Sequence, residues 1–293
     1  MNAWNVGDVT VTKVYESTLD HDQITMLLSI TSKDLDPYRG WMAPYLGPND
    51  EMLMSVHALC IEADGEKIVV DTCIGNDRQY KAELVASTFN GLHTNFLDDM
   101  TAAGFGPQDV DTVICTHLHM DHIGYNTIQR ENDTWTPTFC NARYVMSKQD
   151  HEMWKAGFDD LPDLSADFTL SYNVSVAPIV AAGQAELVEP DEYHITPSVS
   201  LIPTPGHTPD HMSVKIESRG QVAIITGDAL HSPIQFARPE WSNIVDLDKD
   251  QSTKSRQRLA QIAKDQDALI IGTHFPGQTA GYLRSDGGSV RFG

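Results

Sequence analysis

Residues 9 to 16, VTVTKVYE, alternate apolar and polar side chains with the two-residue period of a half-buried strand. MSVHALCIEA (54–63) and KIVVDT (67–72) are apolar runs separated by DGEK, which predicts a hairpin. HTNFLDDMTAAGF (93–105) changes to helical spacing and runs out at Gly104, and DVDTVICT (109–116) reads as a buried strand. Residues 150 to 185 are less regular and predict helical segments over one face. Strand patterns return in SVSLIPT (198–204), HMSVKIES (211–218) and QVAIITGD (221–228). A helix is predicted over 251–266, and ALIIGTH (268–274) is the last buried strand. Residues 31 to 52 are rich in Pro, Gly and aromatic side chains and read as a long loop.

Both halves run strands, helix, strand. That coarse two-fold likeness predicts two β-sheets packed together with helices outside: a mixed α/β, four-layer αββα sandwich in a single domain over 1–293. The length of 293 residues and 41% hydrophobic content supply core enough for it. The formal net charge of −21 repels nucleic-acid backbones and anionic membranes and excludes both as expected partners. No window approaches the roughly 18 to 20 apolar residues of a membrane span. The N-terminus lacks the basic start and apolar run of a secretory signal, so the expected location is cytoplasmic. Cys60, Cys73, Cys115 and Cys140 form no C-x-x-C pair, and the first three sit in or beside apolar runs as reduced core cysteines.

The predicted strand 109–116 runs into THLHMDH. His117 and His119 are two apart at a strand end, where alternate residues point the same way and both rings can reach one point. Asp121 and His122 follow as the chain turns and can face a second point. Neutral imidazole and carboxylate are the ligands preferred by zinc and related divalent ions. Later strand ends carry further ligand types: His207 in TPGHTPDH, Asp228 in ITGDALH and His274 in IIGTHFPG. His211 and His231 lie near these motifs as near-site or surface residues.

THLHMDH, GHTPDH, TGDA and GTHFPG, in that order, resemble the metallo-β-lactamase superfamily of metal-dependent hydrolases, and VVDTCIGN resembles the family's first motif. The resemblance runs from about residue 9 to about residue 280. It implies that His117, His119 and His207 hold one metal ion, that Asp121, His122 and His274 hold a second, and that Asp228 bridges them. It implies two divalent ions, zinc first, with manganese, iron or cobalt as alternatives, and a metal-bridged hydroxide as nucleophile. Asp121 would also orient the nucleophile and pass a proton, and Asp71 would support a ligating imidazole.

The bridging aspartate resembles glyoxalase II, N-acyl homoserine lactonases, methyl parathion hydrolase-like members and RNA-processing nucleases. The acidic charge opposes the nucleases. Only about 19 residues follow His274, too few for the C-terminal helical domain of a glyoxalase II. The expectation is a lactone or carboxylic ester hydrolase acting on a small molecule. A phosphotriesterase-like enzyme, a β-lactam hydrolase and a non-haem iron oxidoreductase on the same fold are the alternatives, and a homodimer is an open expectation. A substrate-side loop at about 31–52 would set an apolar wall with Trp41, Met42 and Tyr45, joined by Phe236 and Phe275. Tyr125, Tyr193 and Tyr282 are candidates to polarise the substrate carbonyl. An insertion within about 125–190 lengthens the interval from His122 to His207 beyond that of the compact lactonases and would reshape substrate access.

Overall fold

A computed structural model describes residues 2–19, 28–48, 51–157, 162–191, 193–287 and 289–293. Parts of the predicted substrate loop (49–50) and of the predicted insertion (158–161) lie outside the described residues.

The chain forms two compact units. The first comprises Met1–Asn5, Val9–Ser17 and Val56–Glu189, and the second Val6–Asp8, Thr18–Ser55 and Pro190–Gly293. Most of a seven-stranded sheet belongs to the first unit. Its strands are β1 (Asn2–Val6), β2 (Val9–Leu19), β3 (Met54–Ala63), β4 (Glu66–Val70), β5 (Thr112–Ile114), β8 (Arg143–Ser147) and β9 (Ala185–Val188), in that spatial order. A small hairpin of β6 (Thr127–Gln129) and β7 (Trp135–Pro137) lies between β5 and β8 in the chain. Strands β3 and β4 are antiparallel, as the DGEK turn predicts, and β4, β5, β8 and β9 are parallel. Eight of the ten residues of β3 in its first stretch are buried without a break, because both faces of this inner strand are covered.

The second unit holds a six-stranded sheet of β10 (His194–Thr196), β11 (Val199–Pro203), β12 (Met212–Ser218), β13 (Gln221–Ile225), β14 (Leu269–Ile271) and β15 (Ala280–Gly281). Only the β13–β14 pair is parallel. The tail forms the hairpin β16 (Leu283–Asp286) and β17 (Ser289–Phe292). Helix Lys249–Asp265 starts at Asp248, whose side chain accepts from Gln251 N, and buries Leu259 and Ala263. The expected helical segments of 150–185 are Lys148–Ala156, Pro162–Ser175 and Ala177–Ala181. The predicted helix 93–105 is shorter, Phe96–Ala102, with Phe96 and Met100 buried.

Within the predicted loop 31–52, residues 32–45 are not irregular as their composition predicts. They form three helical turns, Ser32–Tyr38, Arg39–Met42 and Ala43–Tyr45. Thr31 and Asp34 close a capping box that starts the first turn, with Thr31 N and Oγ1 both donating to Asp34 Oδ2 at 2.7 Å. Pro44 sits in the first turn of the last segment, where its missing N–H costs nothing. Cys60, Cys73 and Cys115 are buried free thiols, and Cys140 is exposed. Among the described residues no helix is long and apolar enough to cross a membrane.

Candidate functional site

In the first unit the site residues follow parallel neighbours β4 and β5. Asp71 leaves β4 in the left-handed region, φ 57°, with its N–H bonded to Ile114 O, the last residue of β5. That turn brings its carboxylate back over the start of the histidine motif. Oδ1 accepts from Thr116 N at 2.8 Å, and Oδ2 accepts from Thr116 Oγ1 at 2.9 Å and lies 2.9 Å from His122 Nδ1. The motif itself curls: His122 N donates to His119 O, and His122 O accepts from Thr72 N. Curling gathers the imidazoles, with ring centroids 4.5 Å apart for His117 and His119 and 4.1 Å apart for His117 and His122. Asp121 Oδ2 lies 3.6 Å from His122 Nε2, and its side chain is 15% exposed while that of His122 is 1% exposed. Gly124 makes this possible. A Cβ there would stand 1.9 Å from Ile74 O, so only glycine lets the two loops approach.

Two helices of the predicted insertion close on His119. Phe168 stacks on its ring at 5.2 Å and Trp154 meets it edge-on at 5.6 Å. Glu16, on β2, is buried, and its carboxylate accepts from Ile74 N and Gly75 N at 2.9 and 3.0 Å. Burial pushes that carboxyl up to about 7, against the downward pull of the two backbone bonds.

In the second unit Asp228 lies at the centre. His274 Nε2 is 2.9 Å from its Oδ1, while His231 Nε2 and His207 Nε2 are 3.1 and 3.4 Å from its Oδ2. Its N–H donates to His211 Nε2 at 2.9 Å. His211 Nδ1 lies 2.8 Å from Thr204 Oγ1, so both ring nitrogens of His211 are engaged and it orients the Asp228 backbone. His211 and His231 are buried, not surface residues. Burial lowers the His231 imidazole below its ordinary value, against the upward pull of Asp228. His207 Nδ1 lies 2.8 Å from Asp246 Oδ1, and His274 Nδ1 donates to Ser55 O at 3.0 Å. Burial would raise the Asp246 carboxyl, but the bond to His207 and the Arg256 guanidinium hold it well below the usual range.

These donors fit divalent metal ions. His117 Nδ1 lies 3.1 Å from Thr116 Oγ1, and the Nδ1 atoms of His122, His207 and His274 face Asp71, Asp246 and Ser55 O. Ligating imidazoles are held in this manner, with one nitrogen fixed by protein and Nε2 turned to the ion.

The aromatic wall takes another form. Met42, Tyr45, Phe236 and Phe275 belong to the packed core of the second unit, with Met42 and Phe275 fully buried. Tyr45 meets Phe275 and Phe292 edge-on. Apolar contact within the unit holds these rings, so they do not form an open surface; Trp41 is only half-buried, packed edge-on to Tyr38. The Tyr125 hydroxyl is 3.1 Å from Thr94 Oγ1 and its ring stacks on Phe96. Asp246, Glu16, Trp154 and Phe168 carry no motif, and composition gives no signal for them.

Residues 53–274 match the model of the metallo-β-lactamase superfamily, and the chain belongs to that superfamily of metal-dependent hydrolases. It has the metallo-β-lactamase fold, with a mixed sheet and its helices in each unit. Among its relatives, an N-acyl homoserine lactonase of Bacillus cereus is 23% identical over 240 residues, covering 78% of this chain and 84% of that one. The N-acyl homoserine lactonase AttM of Rhizobium radiobacter is 24% identical over 201 residues, covering 64% and 67%. Among solved structures, AidC, a dizinc quorum-quenching lactonase in complex with a product, N-hexanoyl-L-homoserine, aligns with a TM-score of 0.80 at 19% identity, covering 99% of this chain and 96% of that one.

Proposed function

We propose that this protein is a binuclear metal-dependent hydrolase of lactones or carboxylic esters, with N-acyl homoserine lactones the first substrate class to try. The observation that carries the reading is that His117, His122, His207 and His274, at strand ends, each commit Nδ1 to a hydroxyl, carboxylate or carbonyl. The lactonase relatives support the substrate class, and the dizinc lactonase among the structural neighbours supports zinc.

His117, His119 and His207 would hold one ion and Asp121, His122 and His274 the other, with Asp228 as the ligand shared by both. Two bound divalent ions would lower the pKa of a water toward neutrality and polarise the substrate carbonyl. Asp121, the more exposed of the two acidic ligands, takes the proton of the attacking water and delivers it to the leaving alcohol oxygen as the acyl C–O bond breaks. Asp71 and Asp246 keep their imidazoles turned so that Nε2 faces inward.

Metal analysis of the purified protein is expected to give about two equivalents of divalent ion per chain. Hydrolysis of acyl homoserine lactones or aryl esters is expected to stop with chelator and return with zinc. His119→Ala is expected to lose one ion and at least about 100-fold in kcat/KM. A protein that neither carries nor binds metal would sink the reading.

A further inference from the structure

We propose that Arg256 is a positioning residue for the ligand nitrogen of His207, acting through Asp246. The inference rests on the proposed role of His207 as a metal ligand.

Arg256 stands on helix Lys249–Asp265 and is 1% exposed. Every nitrogen of its guanidinium is used. Nη2 donates to Asp246 Oδ2, Nη1 to Pro239 O at 2.8 Å and Ser242 Oγ at 3.0 Å, and Nε to Ala229 O at 2.8 Å. The other oxygen of Asp246, Oδ1, faces His207 Nδ1 at 2.8 Å. Asp246 Oδ2 accepts a further bond from Asn243 N at 3.0 Å.

A carboxylate buried this completely keeps its charge only against a buried cation. Arg256 is that cation. Arg256 Nη2 and Asn243 N both donate to Oδ2, which leaves Oδ1 as the acceptor facing His207 Nδ1, the atom that then carries the proton between them. His207 is thereby fixed in the tautomer whose Nε2 carries a lone pair, the form a metal ion takes. The carbonyls of Pro239 and Ala229 and the Ser242 hydroxyl lock the guanidinium in its plane. Lysine cannot reproduce this: a single ammonium on a flexible stem cannot serve four acceptors in three directions.

The test compares the full-length protein with Arg256→Lys, Asp246→Asn, Asp246→Glu and the double variant Arg256→Lys/Asp246→Asn. Zinc affinity is read by competition with a chromogenic chelator, the ligand field from the visible spectrum of the cobalt-loaded protein, and folding from circular dichroism of the metal-free protein. Arg256→Lys and Asp246→Asn are each expected to weaken one of the two zinc sites by about 10- to 100-fold and to shift the cobalt bands of that site. Asp246→Glu is expected to recover part of the loss. The double variant is expected to lose no more than the weaker single variant, because both act on one path. If Arg256→Lys fails to fold, Ser242→Ala, which removes one contact of the guanidinium, is expected to shift the same cobalt bands. Folded variants with wild-type zinc affinity and an unchanged cobalt spectrum would overturn the proposal while leaving the hydrolase reading intact. A wild-type protein that binds no divalent metal ion overturns both.

Discussion

Asp71 illustrates how much one carboxylate can fix. It accepts from the backbone and hydroxyl of Thr116 and faces Nδ1 of His122, so one side chain sets the loop and aims a ligand. An amide there keeps the shape but offers only one acceptor oxygen. Asp71→Asn is therefore expected to weaken metal binding by about 10- to 100-fold with the metal-free fold retained, as read by chelator competition. Glu16 makes a different prediction. Its carboxyl is raised from 4.5 to about 7 in the folded chain, so between those pH values the native state binds the proton more tightly than the unfolded one. Stability of the metal-free protein is expected to fall as pH rises from 4.5 through 7, by up to about 3 kcal/mol, and Glu16→Gln is expected to flatten that slope. Denaturant midpoints across pH 4.5 to 8 check it; a wild type and variant with parallel profiles would refute it. The histidine motif was legible in the sequence because its ligands are crowded into seven positions. Asp246 and Glu16 were not. They are two among 41 acidic residues, and they meet their partners 39 and 58 positions away, which no local spacing encodes.

At the scale of elements, one device occurs twice. In each unit an antiparallel pair is followed by a parallel step: β3–β4 then β5, and β12–β13 then β14. The residue after each first strand, Asp71 or Thr226, donates its N–H to the last residue of the parallel partner, Ile114 or Ile271. His117 and His274 then stand at matching distances beyond those partners. Strands of this kind were readable because continuous apolar runs survive in sequence. The turns of 31–52 were not, because their helices are too short for a period and proline and glycine mask them. The His207 loop depends on close approach to a helix. Gly206 has φ 131°, and a Cβ there would stand 2.2 Å from Ser252 N in the first turn of Lys249–Asp265. The same loop is pinned by Asp248 N donating to Gly206 O and by Ser255 Oγ donating to Pro205 O. Gly206→Ala is expected to destabilise the fold by about 2 kcal/mol or more, because both the dihedral and the contact are refused. A thermal melt within a degree of wild type would contradict this.

At the scale of the whole molecule, the first residues of the chain are shared out between the two units, which alternate along Met1–Asn5, Val6–Asp8, Val9–Ser17 and Thr18–Ser55. Glu16 finds its acceptor role 58 residues later at Ile74, and Gly7 N finds Gln221 Oε1 214 residues later. The turn between β1 and β2 thus depends on a residue 214 positions away. Loop closure over such spans is slow relative to local structure. Pulsed hydrogen exchange during refolding is expected to protect the Gly7 and Gly75 amides in the last phase, after the amides of helix Lys249–Asp265; early protection at Gly7 would reverse that order. In a growing chain, β1, β2 and β3 could pair as soon as they had emerged, whereas the turn between β1 and β2 would wait for β13 to be made before Gln221 could fasten it.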